Sequence, residues 1–153
     1  MDALRAEELK RMRLSTREAN LAFTPGPGRP ISRLEDEWGR YKYAVLERSQ
    51  RAYDAIRDLL KDKDGYPVVE FYRLVDEAAT AEPVASVRAN AAQHVWGHLK
   101  KRVPADEKRA FVDIVGRYLN GKIPIEEVKD HLWSLALRYD ERYLRDAYYF
   151  IGL

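Results

Sequence analysis

Residues 24–30 read Thr-Pro-Gly-Pro-Gly-Arg-Pro, and no regular element can pass through them. Three prolines in seven positions remove amide donors, and two glycines add conformational freedom, so both a helix and a central strand stop there. The 153-residue chain therefore divides into an N-terminal segment, 1–23, a linker, 24–31, and a body, 32–153. The other four prolines, Pro67, Pro83, Pro104 and Pro124, stand at intervals along the body. Each sits where a helix can begin, because the first helical residue needs no amide donor.

Between these marks, apolar residues recur every three or four positions, the helical period. Residues 2–22 read as a charged helix with Leu4, Leu9, Met12 and Leu21 as its contacts. Ser32 and Glu35 have capping-box spacing. A single long stripe follows over residues 34–60, through Leu34, Trp38, Tyr41, Val45, Ser49, Tyr53, Ile56 and Leu60. Shorter stripes follow Pro67 (Val68, Phe71, Val75), Pro83 (Val84, Val87, Val95, Leu99), Pro104 (Phe111, Val115, Tyr118) and Pro124 (Val128, Leu132, Leu135). Asn120-Gly121 is a helix stop, and the Tyr-rich tail from Arg142 predicts a short last helix. No window alternates with period two. The expected fold is all-α, a compact bundle of about six helices with an N-terminal helical arm. Whether that arm lies on the domain or on a second copy is open at this level.

Composition removes several classes of function. Hydrophobic residues are 46% and charged residues 34%, enough for a core beneath a charged surface. There is no cysteine, hence no disulfide, thiolate nucleophile, Cys-ligated zinc or iron–sulfur cluster. No run approaches the ~18 apolar residues of a membrane span, and Met1-Asp2-Ala3-Leu4-Arg5 does not open a secretory signal. A cytoplasmic protein with no membrane partner is expected. The net charge of +2 is mild, yet residues 84–122 hold eight basic side chains against three acidic ones. This basic third points to an anionic partner.

Candidate site residues follow from that charge. Lys100, Lys101 and Arg102 end the helix after Pro83, and Lys108 follows. Such cations either complement the helix dipole or bind an anion. Arg40, Lys42 and Arg48 are interleaved with Tyr41, Tyr43 and Tyr53, a mixture that suits phosphates and stacked bases. His94 and His98, four apart, share a face if one helix carries both. They could hold a metal, but Val95 stands where a metalloprotease has its Glu, and no third ligand is near. The sequence reads better with His94 buried or half-buried and His98 part of the basic end. Asp36-Glu37, Glu126-Glu127 and Asp140-Glu141 are adjacent rather than facing, and no serine has the setting of a nucleophile elbow. No catalytic set, cofactor or metal site is expected.

The stretch Arg40-Tyr41-Lys42-Tyr43, followed by Leu46 and Arg48-Ser49-Gln50, resembles the YbgA-like bacterial family, a helical domain of unknown function. So do Asn90, Gln93-His94-Val95, Gly97, Lys100-Lys101, Glu107-Lys108, Tyr118, Gly121, Pro124 and the closing Tyr148-Tyr149-Phe150. The likeness spans roughly residues 34–150. It implies a domain found alone or fused behind a thiouracil or thiouridine desulfidase, where it helps to hold RNA. Matching positions are Arg40, Lys42, Arg48, Ser49, Gln50, His94, Gly97, Lys100, Lys101 and Lys108. Without cysteine the chain lacks the chemistry of the desulfidase half.

Together these readings favour an accessory RNA-binding domain with tRNA as ligand, serving a separate desulfidase. Its binding residues would be Arg40, Lys42, Arg48, Gln50, His94, His98, Lys100, Lys101, Arg102 and Lys108. Two alternatives stand beside it. One is an enzyme of unrecognised reaction using His94 or His98; the other is a protein-interaction module that self-associates through the N-terminal arm.

Overall fold

Pro30, Pro67, Pro104 and Pro124 each occupy the position just before a helix, and Pro83 lies one residue further upstream of another. A computed structural model describes residues 1–153. In chain order its helices are α1 (Ala3–Ala22), α2 (Ile31–Leu46), α3 (Gln50–Leu59), α4 (Val68–Thr80), α5 (Ala85–Trp96), α6 (Ala105–Leu119), α7 (Ile125–Arg138) and the single turn α8 (Arg142–Arg145). A 3-10 turn over Tyr148–Phe150 closes the chain, and there is no strand. The all-α bundle is as the apolar period requires. No helix is long and apolar enough to cross a membrane.

Helix α2 is the axis of the bundle, packing on α1, α3, α4, α5 and the 3-10 turn. Tyr41 shows why. Its ring meets Phe71, Tyr72 and Tyr148 edge to face, at centroid distances of 6.2, 6.4 and 4.7 Å. Aromatic contacts of this geometry add about 0.5–1.5 kcal/mol each beyond area burial. On the other side, Trp96 stacks on Phe111 at 4.4 Å and joins α5 to α6. At the end of α6, Gly121 adopts φ +70°, while the Gly121 and Lys122 amides donate to Tyr118 and Arg117 carbonyls. That is the stop expected of Asn120-Gly121.

The long helix expected over 34–60 is instead two helices. The chain turns after Leu46, and Ser49 takes an extended conformation (φ −156°, ψ 108°) with its Oγ accepting from the Ala52 amide at 3.0 Å. Ser49 is therefore an N-cap, not a member of the stripe. The capping box at Ser32 does not form either. Helix α2 begins at Ile31 behind Pro30, so Ser32 lies within its first turn and its hydroxyl donates to the Arg29 carbonyl at 2.8 Å.

Helix α1 lies on the domain. Arg5 donates to the Arg145 carbonyl and to Asp146, both at 2.7 Å, and Arg17 grips both oxygens of Asp76 at 2.7 Å. Arg13 donates to the Gly152 carbonyl, and Asn20 donates to the Tyr72 hydroxyl. Leu9 is fully buried and Met12 packs on the core, whereas Leu4 and Leu21 are exposed rather than contacts.

Candidate nucleic-acid interface

Alternate residues of α2 point different ways. Tyr41 enters the core, Tyr43 faces the end of α5 and Tyr143 of α8, and Lys42 turns toward α3. Because α2 packs beside α5, two stretches far apart in sequence meet there. The Tyr43 hydroxyl and His98 Nε2 share a hydrogen bond of 2.6 Å. His98 in turn stacks on Tyr143 with centroids 4.9 Å apart and planes 19° from parallel. The Tyr143 hydroxyl donates to the Gly39 carbonyl at 2.8 Å, which returns the ring to α2. Burial holds the His98 pKa below its ordinary value; Glu141 opposes this shift and Lys42 reinforces it. Its imidazole is thus neutral at pH 7.

Beside this stack lies a groove of about 310 Å³. Trp38, Gly39 and Lys42 of α2 form one side, Arg57 and Leu60 at the end of α3 the other, with Lys63, Glu35 and Tyr143 at its edges. Trp38 is set by its contact with Tyr53 at 5.4 Å. Lys63 is already held by Glu35 at 3.0 Å and by the Leu60 carbonyl at 2.7 Å, and Glu35 also meets Arg29 at 3.2 Å. Lys42 and Arg57 are different, since neither has a carboxylate within ion-pair distance. Burial lowers the Lys42 pKa, and Arg57 pushes it the same way. Lys42 Nζ lies over the Tyr43 ring at 5.9 Å and Arg57 over the Tyr53 ring at 5.7 Å, so two cations with aromatic rather than carboxylate partners line one groove, a setting that attracts an anion.

The other sequence candidates have varied surroundings. Arg40 donates to the buried Glu37 at 3.2 Å and lines a separate groove with Glu35, Asp36 and Asp146, a more acidic setting. The Arg48 guanidinium is spent on the Ala79 and Ala81 carbonyls at the C-terminal end of α4, at 2.7 and 2.8 Å. Gln50 is exposed and donates to Asp54 at 3.0 Å. Arg102 donates to the Tyr139 carbonyl at 2.8 Å and pairs with Glu141, fixing the turn that leads to Tyr143. Lys100 and Lys101 are exposed in the turn after α5. Lys108 is exposed on α6, beside Arg109, Val112 and Asp113.

His94 is exposed, not buried or half-buried. Helix α5 ends at Trp96 and His98 lies in the turn that follows, yet both imidazoles sit beside the Tyr43 ring, at centroid distances of 6.4 Å for His94 and 5.6 Å for His98. No group of three His, Asp or Glu side chains comes close enough to hold a metal ion. Trp38, Arg57 and Tyr143 were not singled out from the sequence as site residues. Trp38 could have been, since it precedes Lys42 by four residues on the same helix and so shares its face. Tyr143 carries no such sign, as only the tertiary fold brings it to α2.

The family described as protein of unknown function (DUF1722) matches residues 42–151. The chain belongs to that family. The DUF1722 segment includes Lys42, Tyr43, Arg57, His98 and Tyr143, together with the exposed Lys100 and Lys101 after α5 and Lys108 on α6. Trp38 lies just outside it, one turn upstream on α2. No curated protein and no solved structure matches the chain.

Proposed function

We propose that this DUF1722 protein is an accessory RNA-binding domain, with tRNA the favoured ligand. The observation that carries the reading is the cation couple Lys42 and Arg57, which has no carboxylate partner and lines one groove with Trp38 and Tyr143. A half-buried lysine without a carboxylate is costly in the free protein, and a phosphate removes that cost. The exposed Lys100, Lys101 and Lys108 add longer-range attraction. The resemblance to the YbgA-like family supports the same reading. It adds a partner, a separately encoded thiouridine desulfidase that supplies the sulfur chemistry this cysteine-free chain lacks.

The test is a tRNA titration at two salt concentrations. Lys42→Glu with Arg57→Glu abolishes measurable binding while the helical spectrum is kept. Lys100→Ala with Lys101→Ala weakens binding and reduces the salt slope by about 0.7 per lost phosphate contact on single strands. Unchanged affinity in the folded Lys42/Arg57 double variant overturns the reading.

A further inference from the structure

Resting on that RNA-binding reading, we propose that the α2–α3 groove takes one unpaired nucleotide, its base against Trp38 and Tyr143 and its phosphate between Lys42 and Arg57. The groove's size is the first argument. At about 310 Å³ it falls at the small end of ligand pockets, roughly 300–1,000 Å³, and is a concavity rather than a protruding element. A duplex keeps its bases inside the stack and presents a convex surface, so only an unstacked residue can enter. The walls are the second argument. Tyr143 is held by His98 and by its bond to the Gly39 carbonyl, and Trp38 is held by Tyr53. Aromatic walls fixed before binding lose little freedom when a base arrives. The charges are the third. Lys42 and Arg57 line the groove without a carboxylate partner, while the one lining carboxylate, Glu35, is already neutralised by Arg29 and Lys63.

Tryptophan fluorescence reads this groove directly. Trp96 and Trp133 are 8% and 6% exposed, whereas Trp38 is half-buried at the groove wall. Full-length protein is titrated with a five-nucleotide single-stranded RNA, a blunt duplex of the same sequence and inorganic phosphate. Fluorescence and the anisotropy of labelled RNA are followed in parallel. The expected result is saturable quenching by the single strand and none by the duplex or by phosphate alone. Quenching disappears in Trp38→Phe, which keeps an aromatic face, whereas Trp38→Ala loses roughly 5- to 150-fold in affinity, the worth of one stacked base. Arg57→Gln, an exposed change that leaves the core intact, also weakens the single strand. Anisotropy showing RNA bound with Trp38 unquenched, or duplex bound as tightly as single strand, overturns the nucleotide site and leaves RNA binding standing. Quenching by phosphate alone overturns the role of the base. No binding by either measure overturns both readings.

Discussion

Lys129 Nζ donates to Glu47 Oε1 at 2.7 Å across 82 residues of sequence, and to the Tyr149 carbonyl at 2.8 Å. One ammonium thus joins the end of α2, helix α7 and the 3-10 turn. Burial pulls the Lys129 pKa down while Glu47 holds it up. Arg88 Nε lies 3.7 Å from the other Glu47 oxygen, and that oxygen, Arg88 Nε and the Tyr149 hydroxyl are buried without hydrogen-bond partners. Such a cluster tolerates replacement as a whole far better than loss of one member.

Lys129→Met therefore costs up to about 3–5 kcal/mol of stability, because it leaves the buried Glu47 with only Arg88, 3.7 Å away, as an ionic partner. Adding Glu47→Leu recovers much of that loss. Urea unfolding of the single and double variants checks both statements. A single variant as stable as the native chain contradicts the assignment.

Glu37 gives a pH dependence with a defined sign. Its side chain is fully buried, and burial raises the carboxyl above its ordinary 4.5 despite the Tyr148 hydroxyl and Arg40. The folded state then keeps a proton that the unfolded chain has released. Stability from this group is complete below 4.5 and is lost as pH rises through the folded pKa. His98 and His131 have lowered pKa values, so their contribution runs the opposite way, weakening as pH falls below 6.5. The difference in melting temperature between the native chain and Glu37→Gln isolates the carboxyl. It moves in favour of the variant between pH 4.5 and 7, and a flat difference curve refutes the raised pKa.

Arg48→Ala removes the clamp on the half-buried Ala79 and Ala81 carbonyls and costs about 1–3 kcal/mol, the worth of hydrogen bonds from a charged donor. Arg48→Lys restores little, since one ammonium cannot reproduce the planar fork. Folded Arg48→Ala protein binds tRNA as the native chain does, because this guanidinium serves α4. Thermal unfolding and the tRNA titration separate the two effects.

The helical class was legible because proline punctuation and a period near 3.6 agree along the whole body. The break at Glu47–Ser49 was not, because Val45, Tyr53 and Ile56 keep helical spacing across it while a single hydroxyl stops one helix and starts the next. The same overextension carries α5 one turn too far, although His94 and His98 still meet the same Tyr43 ring. Charge counting led to residues 84–122, and the lysines there are indeed exposed. The groove itself, however, is assembled from Trp38, Lys42, Arg57 and Tyr143. Three of these lie in a segment of net acidic charge, which concealed two cations that have no carboxylate of their own.

The DUF1722 match opens at residue 42, part-way along α2. Before it on that helix, Ile31, Leu34, Glu37 and Tyr41 are already buried, and Leu9 of α1 is buried as well. A fragment excised at the limits of similarity would begin in mid-helix. It would open the rings of Phe71, Tyr72 and Tyr148 to water where Tyr41 now covers them. The matched segment is therefore shorter than the packed unit to which it belongs.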